Sequence, residues 1–447
     1  MDRLVSHMLD ALVDAVFRNQ ARRTMRLQPS DGIARAPSSP IFLYVHVPFC
    51  EVLCPYCSFH RVRFEEGKAR SYFSALRQEI RRYHEQGYAF SGVYVGGGSP
   101  TVLPDELAGT LSLIRELNPD LADTSVETNP KDLREDVLGT LESAGVNRLS
   151  VGVQTFDDGL LREMARLGKY GGRAEILDRL ASAAGRFQTL NVDMIWNLPH
   201  QTAEILEADL STLLQCPANQ ASFYPLMTSR NAARRIAKTL GERHKDRMRD
   251  FYHRILTRLG TSFVPTSAWC FTRGGKSIDE YIVDATDYAG LGSGAFSYVD
   301  GVLYATTFSL QEYVDRIDRG LTGVTGERRL GLRESMRYDL LVRLFSLRLE
   351  RAWVRARHGQ RFERALAPEL LALKLLGAVV EDERGWSLTQ RGMFLWVRMM
   401  SAFFESVDEF REQMRRHIQD EVGDTPAIES LISLAEFRHR LSLRHMR

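Results

Sequence analysis

Three cysteines fall within eight positions, in the run Pro48-Phe49-Cys50-Glu51-Val52-Leu53-Cys54-Pro55-Tyr56-Cys57, with the spacing C-x3-C-x2-C. Three thiols on one short loop suit a metal centre better than a fold staple. Three thiolates leave a tetrahedral zinc, or a four-iron cluster, one ligand short. Zinc completed by His46 or His60 is one solution; a cubane whose fourth iron takes a ligand from outside the protein is the other. With only five cysteines in 447 residues, a disulfide framework is the weaker reading and a reducing compartment the better one. Cys216 and Cys270 stand apart and read as ordinary buried thiols.

Further groups able to meet a ligand end successive apolar runs. Val95-Gly96-Gly97-Gly98-Ser99-Pro100 brings Gly97 and Gly98, where a backbone approaches a ligand with no Cβ between. Ser125-Val126-Glu127-Thr128 ends on a carboxylate that needs a cationic partner such as an ammonium group. Gln154 offers both donor and acceptor, and Arg166 follows twelve residues later with a planar guanidinium. Asp193 occupies the same kind of position in Asn191-Val192-Asp193-Met194.

The elements that must position these groups alternate. Strands are expected near 42–47, 92–96, 124–128, 148–153, 188–195 and 220–225, with helices near 68–86, 104–116, 132–143, 157–166, 172–185, 202–214 and 231–259. Such alternation implies an α/β fold with a parallel sheet inside a layer of helices, and functional groups gather at the carboxyl ends of its strands. Residues 2–24 read as an amphipathic helix, with Arg18, Arg22, Arg23 and Arg26 at its end. It is either a docked helix or a flap over an anionic substrate. A glycine-rich loop, Asp287-Tyr288-Ala289-Gly290-Leu291-Gly292-Ser293-Gly294, precedes a helical region from 330 that contains a short hairpin. The expected units are an N-terminal helix and linker over 1–40, a barrel over 41–265, an extension over 266–329 and a helical cap over 330–447.

The cysteine loop, with an aromatic before its last cysteine, resembles that of the radical S-adenosylmethionine (SAM) enzymes. Tyr44-Val45-His46-Val47-Pro48-Phe49-Cys50 is similar to the branch named for oxygen-independent coproporphyrinogen III oxidase, which also holds a heme chaperone and class C methylases. The resemblance implies a partial (β/α)6 barrel with an N-terminal helix and a winged-helix-like C-terminal cap. It implies a 4Fe-4S cluster on Cys50, Cys54 and Cys57, one SAM or two, and a flavodoxin- or ferredoxin-like electron donor. By the same resemblance, Gly97 and Gly98 meet the methionyl amino group through backbone, Glu127 pairs with that group, and Arg166 grips the methionyl carboxylate. Gln154 and Asp193 hold the ribose, Tyr44 packs beside the assembly, and the glycine-rich loop near 290 lies on the substrate side.

Departures limit how far the substrate transfers. Phe59 stands where the oxidase has an additional cysteine, Asp279-Glu280-Tyr281-Ile282-Val283-Asp284 replaces the chaperone's histidine stretch, and Asn197-Leu198-Pro199 replaces Gly-Leu-Pro. Three outcomes stay open: oxidative decarboxylation of a tetrapyrrole, methylation or cyclopropanation through a second SAM, and heme binding without turnover.

Composition adds exclusions. The formal charge of +2 provides no global field toward nucleic acid or membrane, and no apolar run reaches bilayer length. Asp10 and Asp14 interrupt the first apolar stretch, against a secretory signal, so the cytoplasm is the expected location.

Overall fold

The computed structural model describes residues 23–418 apart from 34, 228–229, 243, 245, 275–277, 279–285 and 417. The helix expected over 2–24 falls, up to residue 22, outside the described residues, as do the Asp279–Asp284 departure and the charged tail beyond 418.

Six strands follow the expected order: β1 (Ile41–Val47), β2 (Phe90–Gly97), β3 (Asp123–Thr128), β4 (Arg148–Gln154), β5 (Thr189–Trp196) and β6 (Gln220–Pro225). Each pairs in parallel with the next in sequence. Helices return the chain between them: α1 (Glu66–Glu85), α2 (Pro104–Leu117), α3 (Glu135–Ser143), α4 (Arg173–Ser182) and α5 (Ala203–Gln215), with two short helices, Asp158–Glu163 and Leu167–Tyr170, before α4. The result is a partial (β/α)6 barrel, an α/β fold.

The two-residue period of each strand divides its side chains between the two faces. Leu43, Val45 and Val47, Val93 and Val95, and Leu149, Val151 and Val153 are fully buried in the core cluster. The alternate set includes Tyr44, Tyr94, Glu127, Gly152, Gln154 and Asp193, all of which line one cavity. Sequence polarity thus maps directly onto the barrel interior.

The sheet is wider than six strands. β7 (Tyr288–Leu291), the start of the second glycine-rich loop, adds in parallel to β1. Antiparallel strands Phe296–Val299, Val302–Thr306 and Val324–Arg329 continue outward from it, and Cys270–Thr272 adds antiparallel to β6, giving a sheet of thirteen strands among the described residues. The loop is therefore tied directly into the sheet. It follows a seventh parallel strand whose short length, Tyr-Ala-Gly-Leu, masks it in the sequence.

The helix expected over 231–259 is broken, and so is a stretch of the helical region beyond 330. The stretch 231–259 forms Arg230–Thr239 and Met248–Leu259. Between them Gly241 has φ +92°, and a Cβ there would stand 2.8 Å from His200 Nε2. The stretch 362–376 divides into Arg361–Ala365 and Ala367–Leu375, the second beginning with Pro368 in its first turn.

The C-terminal part sets α6 (Leu332–Phe345), strand Arg348–Glu350, three short helices and the hairpin Val379–Asp382/Gly385–Leu388 ahead of the long helix α7 (Gln390–Arg416). Its three strands form a separate sheet, a winged-helix-like arrangement. Trp396 of α7 donates its indole N–H to Leu341 O at 2.9 Å, locking α7 to α6. This places the Phe403–Arg411 face of α7 over the strand ends. No helix among the described residues is long and apolar enough to cross a membrane.

Candidate functional site

The cysteine loop leaves β1 through Phe49–Cys50, which pairs with Val62–Arg63 and closes the loop at its base. Val62 N donates to Pro48 O at 2.7 Å and Phe64 N to Cys50 O at 2.9 Å. Inside the loop, Arg61 Nη2 and Cys57 N both donate to Cys54 O, at 2.5 and 3.2 Å. The glycine run of β2 packs against this exit: Gly98 N donates to Val47 O and Ser99 N to Phe49 O, each at 2.8 Å. A Cβ on Gly98 would stand 2.5 Å from Phe49 O, so this approach admits only glycine.

Cys50, Cys54 and Cys57 carry free thiols and line a single cavity of about 330 Å³. Burial, and after it the Cys57 charge, push the Cys50 thiol up to about 12. A thiolate there therefore needs a cation to stabilise it, which suits a metal-ligand set. His46 has both ring nitrogens engaged, Nδ1 with Tyr44 at 2.8 Å and Nε2 with His60 O at 2.9 Å, so it offers no fourth ligand. Among the described residues, no three His, Cys, Asp or Glu side chains converge on one ion. In a cubane the three sulfurs bind three different irons, so the donor set fits that group.

The same bonds fix a tautomer. A carbonyl only accepts, so His46 Nε2 carries the hydrogen and Nδ1 accepts from the Tyr44 hydroxyl. Burial lowers the His46 pKa to about 4, keeping the ring neutral. Tyr44 thus lines the cavity with its hydroxyl hydrogen committed to His46.

At the ends of β2 and β3, Glu127 accepts from Tyr94 Oη at 2.8 Å and from Gly97 N at 3.0 Å. Gly97 has φ +119°, and a Cβ there would meet the His46 ring at 2.7 Å. β4 ends on an irregularity: its register with β5 slips between Gly152 and Gln154, and Gln154 takes φ 79°. Such bulges re-aim side chains beside functional sites, and here the bulge brings Gln154 to the cavity wall. Arg166 is buried against this strand end, donating to Gly152 O and, at 3.2 Å, to Tyr56 Oη, with Nη1 3.9 Å from Cys54 Sγ. Its guanidinium lies 4.2 Å from the centroid of the Tyr170 ring.

Asp193 accepts from Ser150 Oγ and Asn191 Nδ2, both at 2.8 Å. Burial first and the Glu127 charge second raise its pKa to about 6, partly offset by Arg148. An unfolded Asp ionises near 4, so between pH ~4 and ~6 the fold holds this proton more tightly than the unfolded chain. Stability contributed by that proton is lost as pH rises through 6. Asp193→Asn should therefore stabilise the ligand-free chain at pH ~7, by at most about 3 kcal/mol, and much less at pH ~4. Denaturant titrations at both values check this; equal destabilisation at both would contradict the assigned burial cost.

All ten residues singled out from sequence, Tyr44, Cys50, Cys54, Cys57, Gly97, Gly98, Glu127, Gln154, Arg166 and Asp193, line this one cavity. Residues missed from sequence support the cavity from behind or complete its wall. Arg148, buried on β4, donates to Gln220 at 2.9 Å, and its charge opposes the upward shift of both Glu127 and Asp193. A lone charged residue opening an apolar strand was the available signal. Asp408 and Arg411 of α7 reach the cavity from far along the chain. Beyond the strand ends the walls become aromatic: Tyr224, Trp269, Tyr288, Phe296, Tyr338 and Phe404.

Fold and site together define a partial β/α barrel that holds a three-cysteine cofactor loop at the carboxyl ends of its strands. The family description "Radical SAM superfamily" matches residues 44–213. Heme chaperone HemW of Escherichia coli is 30% identical over 291 residues, covering 60% of this chain and 73% of that protein. Oxygen-independent coproporphyrinogen III oxidase of Escherichia coli is 28% identical over 415 residues, 86% of this chain and 90% of that protein. The solved structure of coproporphyrinogen III oxidase (HemN) from Escherichia coli has the same fold, with a TM-score of 0.72 at 24% identity, covering 85% of this chain and 95% of that one. The chain belongs to the radical SAM superfamily, in the branch of these two relatives. Membership implies a 4Fe-4S cluster and SAM.

Proposed function

We propose that the protein is a radical SAM enzyme that abstracts hydrogen from an organic substrate enclosed between the strand ends and α7. The observation that carries this reading is the convergence of three free thiols, two carboxylates, an amide and a guanidinium from a loop and separate strand ends on one cavity. When bound, the cluster and SAM supply one-electron cleavage of a sulfonium and a primary radical able to take hydrogen. In this reading Cys50, Cys54 and Cys57 hold the cluster, Glu127 and the Gly97–Gly98 backbone meet the methionyl amino group, Arg166 takes the carboxylate, and Gln154 and Asp193 take the ribose. Tyr44 lines the cavity beside them. The cap keeps water and other C–H bonds from the reacting centre. A flavodoxin- or ferredoxin-like donor supplies the electron.

Two outcomes follow hydrogen abstraction. The oxidase relative, aligned over 86% of the chain, supports decarboxylation of a tetrapyrrole propionate. Transfer of a one-carbon group from a second SAM is supported by the second glycine-rich loop, whose Gly294 and Phe296 line the same cavity. Heme carriage without turnover is the reading the chaperone relatives support. Anaerobic reconstitution with SAM, dithionite and coproporphyrinogen separates them. Carbon dioxide with 5′-deoxyadenosine marks the first outcome and S-adenosylhomocysteine the second. No SAM cleavage, with stoichiometric heme binding, would overturn the catalytic reading.

A further inference from the structure

Arg61, which the roles assigned above leave unused, sits where the cysteine loop returns to the barrel. Backbone fixes it on the far side of the loop: Val62 N donates to Pro48 O, Phe64 N to Cys50 O, and Val62–Arg63 pairs with Phe49–Cys50. The Arg61 side chain is 4% exposed, lines the cavity, and sends Nη2 to Cys54 O at 2.5 Å. Arg166 approaches the same cysteine from the end of β4, with Nη1 3.9 Å from Cys54 Sγ. Cys54 is thus met by two guanidiniums, one at its carbonyl and one at its sulfur. The charges of Arg61 and Lys169 also reach the Cys50 thiol, where both oppose the effect of burial.

The carbonyl alone does not account for a charged side chain at this position. Cys57 N already donates to Cys54 O at 3.2 Å, and a neutral donor would serve that oxygen as well. Burying a guanidinium is costly unless a negative charge answers it. In the reading above Arg166 has such a partner in the methionyl carboxylate. The thiolates of its own loop are the charge that Arg61 can answer. A cubane held by three thiolates is anionic and gains one more negative charge with each electron it accepts, and net charge is one of the levers that set its potential.

We propose that Arg61 sets the reduction potential of the cluster its loop holds. The buried guanidinium stabilises the negative charge added when one electron arrives from a low-potential donor of the flavodoxin or ferredoxin class, and so raises the midpoint. The electron stays on the iron–sulfur core; no bond forms or breaks at Arg61, which keeps all its protons. The inference rests on the reading above for the cluster, and on none of its outcomes for the substrate.

The test uses the full chain, anaerobically reconstituted, without SAM. The midpoint is measured by dithionite titration followed by electron paramagnetic resonance on wild type, Arg61→Gln and Arg61→Lys. Glutamine keeps an N–H for Cys54 O and loses the charge; lysine keeps the charge and loses the planar fork. Arg61→Gln should lower the reduced-to-oxidised ratio at a fixed poise by about tenfold, which is ~59 mV for a one-electron couple. Arg61→Lys should recover most of that shift. An unshifted midpoint in iron-loaded Arg61→Gln would overturn the proposal. Equal shifts in the two variants would also overturn it, because geometry and not charge would then be at work. If Arg61→Gln takes up no cluster, Arg61→Lys decides: a loaded chain with a midpoint close to wild type supports the charge role, and an empty chain, or one shifted by the full tenfold, ends it. Failure of the hydrogen-abstraction reading registers separately, as absence of 5′-deoxyadenosine when SAM and dithionite are added to the wild-type chain.

Discussion

Cys54→Ala should abolish the visible absorbance of the reconstituted protein and reduce SAM cleavage to background, while leaving the chain folded. Removing one of three thiolates leaves a cubane with two protein ligands, and the nearby histidines offer no replacement: His46 is engaged at both nitrogens, and His60, whose Nε2 faces Ser293 Oγ at 3.3 Å, does not line the cavity. The fold should survive because the loop is held by backbone bonds that the thiol does not make. Val62 N to Pro48 O, Phe64 N to Cys50 O and Arg61 to Cys54 O all remain in the variant. Deleting one buried sulfur should cost about 1 kcal/mol. Iron content, absorbance and circular dichroism on wild-type and variant preparations check both halves. A variant that kept a full cluster and cleaved SAM would remove Cys54 from the ligand set.

The barrel was legible because its strands are buried on one face against helices and polar on the other, so apolar runs and their polar ends both carry information. Glu127, Asp193 and the Gly97–Gly98 pair could be placed at strand ends for that reason, and the cavity gathers them. What was not legible depends on distant contacts. Gln154 reaches the cavity through a register slip against β5, which no local pattern announces. Gly241 breaks a helix-forming stretch because His200 and Pro199 crowd it, a contact spanning some forty residues. β7 is four residues long and finds its place only by pairing with β1, more than two hundred residues earlier. Asp408 and Arg411, an i,i+3 pair on α7, join the cavity only because the cap lays that helix over the strand ends.

Arg166→Ala should weaken SAM binding by roughly 10–100-fold, the loss expected for a hydrogen bond to a charged group, and should also make the cluster more labile. The first effect follows from the proposed carboxylate role. Arg166 is fully engaged on one side, with Gly152 O, Tyr56 Oη and the Tyr170 ring, while its buried Nε has no partner. The second effect is not legible in the sequence, because it depends on a contact between residues more than a hundred positions apart. Its Nη1 lies 3.9 Å from Cys54 Sγ, so the same side chain braces the cysteine loop against β4. Arg166→Lys separates the two roles. A lysine keeps the charge near the thiolates but loses the planar fork, so it should restore resistance to chelation more fully than SAM affinity. Equilibrium dialysis of SAM and the rate of iron loss to a chelator measure the two effects independently. Unchanged SAM affinity in Arg166→Ala would dismiss the carboxylate role, and equal recovery of both properties in Arg166→Lys would mean that charge alone, not the fork, acts at this position.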